Sequence, residues 1–112
     1  MERGEIYLTT PAAPDPRRRR AFLVVSRPEF LTSRYSSVVC VPLYSAFSGT
    51  PAEVGLNESY GLKRQSWARC DEVTSVPRIR LTQLVGRVPP ARMRDVSRAL
   101  AVALDISNAD LG

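Results

Sequence analysis

Short apolar runs separated by turn residues make up most of the chain, and their lengths are typical of β-strands rather than helices. Strands are predicted at residues 5–9, 21–26, 37–43, 66–71, 73–76 and 84–88, with a brief helical turn at 28–31. The run at 21–26 is apolar almost throughout, which predicts a strand that is covered on both faces. Three prolines within residues 10–19 predict an exposed loop between the first two strands.

The C-terminal part of the chain changes to a helical period. Met93, Val96, Leu100 and Leu104 recur at steps of three and four residues, and Pro90 stands at the expected first turn. This pattern predicts an amphipathic helix followed by a frayed tail at 107–112. Six or seven short strands closed by one helix predict a mainly β fold, a small β-barrel with a C-terminal α-helix, because an open sheet would leave strand edges unpaired.

Composition narrows the class of protein. The 112 residues suffice for one domain, which we expect to span residues 1–112. No apolar run approaches the roughly 20 residues of a membrane span, and no signal peptide is apparent, so we expect a cytoplasmic protein without membrane contact. The chain has no histidine, which removes the commonest general base and metal ligand. We expect no cofactor, and we expect Cys40 and Cys70 to be small buried thiols.

Arginine supplies nearly all the positive charge. Sixteen Lys+Arg residues against eleven Asp+Glu residues give a formal charge of +5, and Lys63 is the only lysine. A run of four arginines leads directly into the predicted strand at 21–26: Arg17, Arg18, Arg19 and Arg20. Because guanidinium groups bind phosphates in a bidentate manner, one interpretation is a polyanionic partner. The other is the codon bias of a GC-rich genome.

Arg69 and Asp71 are candidate catalytic groups that lie only two positions apart in the chain. A period of two in the predicted strand 66–71 places Trp67, Arg69 and Asp71 on one face. One interpretation is a structural ion pair at a strand end. The other is a base beside a cation, a pair that suits RNA cleavage by the neighbouring 2′-hydroxyl without a metal. Trp67 is either a stacking platform for an unpaired base or part of the core or a dimer interface.

Several motifs occur in a recognisable order along residues 3–106. They are RGEIY at 3–7, RAFLVVS at 20–26, VCVPL at 39–43, GLKRQS at 61–66, RCDE at 69–72 and VGRV at 85–88. In this order and spacing the chain resembles the MazF/PemK (Kid) family of toxin endoribonucleases from bacterial toxin–antitoxin systems. That family has RPxLVVS-like and VVPI segments at the second and third motifs, and a CDQ- or RCDQ-like segment at the fifth.

The resemblance implies an SH3-like β-barrel that forms a homodimer and cleaves single-stranded RNA without a metal. It also implies a cognate antitoxin, which we expect to be acidic because its tail must compete with RNA for an arginine-lined groove. By position, the catalytic arginine of the family falls on Arg20, and the proposed acid and base fall on Arg69 and Asp71. The remaining cations of the run would attract RNA from the loop: Arg17, Arg18 and Arg19.

Tyr44 and Ala21 depart from the family pattern near the predicted site, and alanine at position 21, where proline is usual, costs only backbone stiffness. Tyr44 stands where a catalytic threonine is usual, and its hydroxyl lies further out on a ring, where it is a candidate RNA contact. Ser45 is the candidate replacement for the catalytic hydroxyl, provided that a bulge turns it to the same face. Two alternatives therefore stay open: an RNA-binding member with impaired catalysis, and a non-enzymatic toxin that binds a protein target such as DNA gyrase. The mid-chain position of Trp67 disfavours the second.

Overall fold

The computed structural model describes residues 1–10, 20–32 and 34–112. In this part of the chain the elements of the fold are seven strands followed by one α-helix, as the apolar pattern predicts. They are β1 (Glu5–Thr9), β2 (Ala21–Val24), β3 (Ser37–Tyr44), β4 (Glu53–Leu56), β5 (Ser66–Arg69), β6 (Thr74–Pro77), β7 (Leu81–Arg87) and α1 (Pro90–Ala103). Short 3₁₀ turns lie at Pro28–Leu31, Glu58–Tyr60, Cys70–Glu72 and Arg78–Arg80. The predicted loop cations Arg17, Arg18 and Arg19 lie outside the described residues.

The strands pair antiparallel in the order β4-β5-β3-β2-β1-β7, with β6 also paired to β3. The long strand β3 is the centre of this sheet. One side of β3 pairs with β2, while the other side pairs first with β6, between Ser37 and Cys40, and then with β5, at Leu43 and Tyr44. Because β5 and β6 share one edge of β3, the sheet curls around it. The result is an incompletely closed barrel, since β4 and β7 are not paired with each other within the described residues.

Rows of buried side chains cross the sheet in register and form the main core. Ile6 of β1 lies opposite Leu23 of β2, and Leu23 lies opposite Val41 of β3. All three are fully buried, and each such side chain stabilises the fold by about 1.5–3 kcal/mol. Met93 and Val96 of α1 pack into the same core. The predicted apolar stripe of the helix therefore covers the barrel as far as Leu100, whereas Leu104 lies beyond the helix and is exposed.

The other face of the sheet carries a second apolar cluster. Its buried members are Val24, Leu31, Val38, Cys40, Val76 and Leu81. Leu23 thus belongs to one core and its neighbour Val24 to the other. This arrangement confirms that the second strand is covered on both faces.

Some predicted boundaries are wrong by two or three residues. β2 ends before residue 25, because the amides of Val25 and Ser26 both donate to the Val39 carbonyl, at 3.0 and 3.2 Å, and the chain leaves the ladder there. β7 begins at Leu81, three residues earlier than predicted. β5 ends at Arg69, two residues earlier than predicted, and this difference affects the candidate site.

Helix α1 begins with Pro90 in its first turn, as predicted. Beyond the helix, the amide and hydroxyl of Ser107 donate to the Asp110 carboxylate at 2.7 and 3.0 Å. The tail therefore forms an exposed hydrogen-bonded turn, and its fraying stays a prediction. Among the described residues, no helix has the length and apolar character that crossing a membrane requires.

Candidate functional site

An open groove of about 780 Å³ crosses the neighbouring strands β3, β2, β1 and β7 beneath the loop 61–64. Its lining includes three cations and three hydroxyl groups, those of Arg20, Lys63, Arg64, Tyr44, Ser45 and Ser66. None of the described residues that line it carries a carboxylate. The groove is therefore positively charged, which suits a polyanionic ligand.

Two glycines set the position of the loop 61–64. A Cβ atom on Gly61 would lie 2.2 Å from the Val85 carbonyl oxygen, and one on Gly86 would lie 1.8 Å from the Tyr60 carbonyl oxygen. The loop and β7 therefore meet backbone to backbone. This contact brings the two loop cations, Lys63 and Arg64, over the groove. Sequence reasoning missed both cations as site residues, although they lie within the GLKRQS motif.

Arg20 is fixed at the end of the groove by its backbone. The Thr9 amide donates to the Arg20 carbonyl at 2.9 Å, and the Arg20 amide donates to the Thr9 hydroxyl at 3.2 Å. Thr9 is itself buried, with 1% exposure. Arg20 therefore has a defined place immediately before β2.

Tyr44, the last residue of β3, connects three charged side chains. The guanidinium carbons of Arg69 and Arg20 lie 3.8 and 5.0 Å from the centroid of its ring. The Tyr44 hydroxyl donates to Oε1 of Glu72 at 2.6 Å. Cation–π contacts contribute roughly 0.5–2 kcal/mol each. Groups from three separate segments of the chain are thus held together beside the groove, although only Arg20 and Tyr44 line it.

Arg69 is held between two carboxylates. Its Nη1 lies 3.5 Å from Oε2 of Glu72, its Nη2 donates to the Ala46 carbonyl at 3.3 Å, and its Nε lies 4.0 Å from Oε2 of Glu53. The side chain is only 22% exposed, and Nε has no hydrogen-bond partner among the described residues. Arg69 is therefore a largely buried cation whose position is set from both sides.

Glu53 is the buried partner of this arginine and anchors the loop before β4. Its carboxylate accepts hydrogen bonds from the amides of Ser48 and Thr50, at 2.9 and 2.8 Å, and from the Ser48 hydroxyl. Burial raises the pKa of Glu53, but these hydrogen bonds outweigh it and lower the pKa to about 2. Glu53 is therefore ionised at neutral pH and supplies a constant negative charge beside Arg69.

The prediction that Asp71 shares a strand face with Arg69 is wrong. After Arg69 the chain enters the 3₁₀ turn Cys70–Glu72, which the Val73 amide closes by donating to the Cys70 carbonyl at 3.3 Å. Cys70 itself lies in the core beneath α1, where its Sγ is 4.0 Å from the Val96 carbonyl. Asp71 is consequently exposed on the turn, and Glu72 is the residue that lies next to Arg69.

Ser45 lies immediately after β3, in an exposed bend that contributes to the groove lining beside Tyr44. Strand alternation does not decide its direction, because β3 ends at Tyr44. A bulge is therefore not needed to bring Ser45 to the groove. Its catalytic role stays a prediction.

Trp67 does share a face of β5 with Arg69, because the residues on either side of it are buried. Its ring packs against Phe47, with centroids 4.5 Å apart, and covers Gly55, where a Cβ atom would come within 2.9 Å of the indole. Trp67 lines a separate cleft between this part of the sheet and α1. The structure thus does not bring it into the groove with Arg20, and its role in RNA binding stays a prediction.

Both cysteines are buried, as predicted, and neither forms a disulfide. Burial raises the pKa of Cys40 to about 12. Burial, with the nearby charge of Asp71, raises the pKa of Cys70 to about 11. In the described part of the chain, no group of three or more acidic, cysteine or histidine side chains is placed to hold a metal ion.

Residues 2–104 match the family model described as PemK-like, MazF-like toxin of type II toxin-antitoxin system. The chain belongs to this family. Its assignment to the MazF/PemK family from motif order is thereby confirmed. Four of the motifs, at 20–26, 39–43, 61–66 and 85–88, contribute residues to the lining of the groove.

Relatives within the MazF-like family cover nearly the whole chain. It is 30% identical over 112 residues to the Endoribonuclease MazF6 of Mycobacterium tuberculosis, covering 95% of this chain and 98% of that protein. It is 31% identical over 110 residues to the Probable endoribonuclease MazF of Mycolicibacterium smegmatis, covering 96% and 99%. A solved mycobacterial endoribonuclease in complex with its cognate antitoxin superposes with a TM-score of 0.82 at 24% identity, covering 96% and 97% of the two chains. This likeness confirms the predicted MazF-like barrel.

Proposed function

We propose that this chain is the toxin of a toxin–antitoxin system and a metal-independent endoribonuclease that cleaves single-stranded RNA. The MazF endoribonucleases among its relatives support the activity, and the positively charged groove supports the substrate. The observation that carries the proposal is the position of Arg20, which is bound to buried Thr9 and lies beside Tyr44 in the groove. An arginine whose backbone is fixed in this way and whose guanidinium lies over the Tyr44 ring can stabilise one particular phosphate, whereas loop cations only attract RNA.

The reaction begins with attack of an RNA 2′-hydroxyl on the adjacent phosphorus. Arg20 binds the non-bridging oxygens and stabilises the negative charge that develops on them. Arg69 supplies a second positive charge, and its role is electrostatic because a guanidinium rarely gives up a proton. Ser45 offers a hydroxyl to the same phosphate from the groove lining. The proton acceptor is a carboxylate of the turn Cys70–Glu72, a role that the family pattern assigns to Asp71.

The partners follow from the same charges. The structural neighbour in complex with its cognate antitoxin supports an antitoxin for this chain as well. We expect the inhibitory segment to be acidic, because it must compete with RNA for a groove that carries three cations. The functional unit is a homodimer, and its place of action is the cytoplasm, where messenger RNA is found.

The activity is tested by incubating the purified protein with single-stranded RNA in EDTA and mapping the ends of the fragments. We expect cleavage that EDTA does not reduce. Intact RNA at high protein excess would contradict the proposal, and cleavage that EDTA abolishes would contradict its metal-independent form. Growth inhibition without RNA cleavage would favour a protein target such as DNA gyrase instead.

The role of Arg20 is tested by Arg20→Ala. This change should lower the cleavage rate by about 10²–10³-fold, because it removes a preorganised charge from the transition state, while RNA binding is largely retained. Arg94→Ala on the exposed side of α1 removes the same charge elsewhere and should cleave at the wild-type rate. Neutralising Arg17 and Arg18 should instead weaken binding and flatten its salt dependence. Equal effects of all three changes would mean that only net charge matters.

A further inference from the structure

Two positions near the groove at which this chain departs from the family pattern are joined by a hydrogen bond. Tyr44 replaces the usual threonine, and Glu72 occupies the last place of the RCDE motif, where the family pattern has glutamine. The residues are 28 positions apart in the chain, yet the Tyr44 hydroxyl donates to Glu72 Oε1 at 2.6 Å. A distance in this range is typical of a charge-assisted O–H···O⁻ bond, which is about twice as strong as a neutral one.

We propose that Tyr44 and Glu72 together form the proton acceptor of the cleavage reaction, an inference that rests on the proposed function. Tyr44 lines the groove, and in this proposal its hydroxyl oxygen is the group that meets the substrate. Glu72 lies behind it and acts through it. The carboxylate that accepts the proton is thus Glu72 rather than Asp71.

The proposed step balances as follows. The 2′-oxygen forms a bond to phosphorus, its proton passes to the Tyr44 oxygen, and the Tyr44 proton passes to Glu72. The bond from phosphorus to the 5′-oxygen breaks, and that oxygen takes a proton from water in the open groove. The products are a 2′,3′-cyclic phosphate and a 5′-hydroxyl, and Glu72 returns its proton to the solvent.

The contacts around the pair hold both side chains in place. The Tyr44 ring is faced by the guanidinium groups of Arg20, at 5.0 Å, and Arg69, at 3.8 Å, and these cation–π contacts fix the ring beside the groove. Glu72 is faced by Tyr44 and by Arg69, whose Nη1 lies 3.5 Å from its second oxygen. That contact holds the carboxylate in place and leaves Oε1 for the tyrosine.

The other carboxylate of the turn lacks such a connection. In the described part of the chain, Asp71 takes part in no hydrogen bond or ion pair.

The geometry also accounts for tyrosine at position 44. A threonine hydroxyl would lie close to the strand. The tyrosine ring carries its hydroxyl further outward, where it reaches Glu72 at the end of the turn.

The test uses Tyr44→Phe and Glu72→Gln. The first removes the hydroxyl but keeps the ring against both guanidinium groups, and the second keeps the shape but removes the proton acceptor. Each should lower the single-turnover cleavage rate in EDTA by about 10²–10⁴-fold. The double variant should be no slower than the slower single variant, because both changes remove one unit. The rising limb of the wild-type pH–rate profile should be lost in Glu72→Gln.

Two matched controls make the same chemical changes far from the groove. Tyr35→Phe removes a hydroxyl from a tyrosine that packs against Phe30, and Glu29→Gln removes an exposed carboxylate that pairs with Arg27. Both should cleave at the wild-type rate. RNA affinity, measured on a 2′-O-methyl version of the oligonucleotide that lacks the attacking hydroxyl, should be nearly the same for all variants. Circular dichroism checks that each variant is folded.

The outcomes separate this inference from the function on which it rests. Wild-type protein that leaves RNA intact would overturn both. Cleavage by the wild type together with full activity of Tyr44→Phe would overturn only the inference. The same holds if Glu72→Gln keeps its rate and pH profile while Asp71→Asn loses activity, because the proton acceptor would then be Asp71.

Discussion

Gly61→Ala should both destabilise the protein and displace the loop that carries two of the groove's cations. Gly61 has a φ of +100°, and a Cβ atom there would lie 2.2 Å from the Val85 carbonyl oxygen and 2.7 Å from the Gly86 Cα. These are backbone atoms of β7, which pairs with β1 and cannot easily yield. The loop must therefore move away from the strand.

The expected magnitude has two parts. An alanine in the left-handed region costs about 1–2 kcal/mol, and forcing extra volume into a packed contact costs about 1–3 kcal/mol more. Gly49→Ala separates them, because Gly49 has a φ of +89° but a Cβ atom there would meet only a Phe47 ring carbon, at 3.9 Å. We therefore expect a loss of about 1–2 kcal/mol for Gly49→Ala and about 2–5 kcal/mol for Gly61→Ala.

Urea unfolding followed by the fluorescence of Trp67 measures both losses. Cleavage assays below the unfolding midpoint should show a rate about 10²-fold lower for Gly61→Ala, since misplacing groups by about 1 Å can have that effect. Gly86→Ala makes the reciprocal clash, at 1.8 Å from the Tyr60 carbonyl oxygen, and should behave like Gly61→Ala. Equal stability of Gly61→Ala and Gly49→Ala would refute the argument that this contact positions the loop.

Two further predictions concern buried titratable groups. Burial raises the pKa of Glu5, but hydrogen bonds from the Glu2 amide, the Tyr7 hydroxyl and Arg87 outweigh it, so the pKa is lowered. The stability that Glu5 contributes is therefore present above its unfolded pKa of about 4.3, and the advantage of wild type over Glu5→Gln should shrink in urea titrations as the pH falls below that value. Cys40 and Cys70, with pKa values raised to about 12 and 11, should react with a thiol reagent at pH 8 only at the rate of unfolding, and rapid labelling of the native protein would contradict their burial.

Much of the fold could be predicted from the sequence because local patterns report local structure. The apolar run after Arg20 contains enough β-forming residues to define β2, and the three- and four-residue spacing of Met93 and Val96 defines the buried side of α1. The special position of Arg20 was also predictable, because it directly precedes a strand. Family motifs, read in order, then indicated the groove and several of its residues.

The features of the fold and site that could not be predicted depended on contacts between distant segments. A period of two cannot reveal that the chain turns after Arg69, because Cys70 is a buried position whether the strand ends there or continues. For the same reason Asp71 was placed beside Arg69, a place that Glu72 occupies.

The loop cations and the tyrosine–glutamate pair likewise depend on tertiary contacts. Lys63 lies over the groove only because Gly61 and Gly86, 25 positions apart in the chain, meet backbone to backbone. Hydrophobic periodicity by itself indicated most of the strands, the helix and much of the core. Only the packed barrel decided which charged side chains meet, because those pairings are set by the curvature of the sheet and by the close approach of its loops.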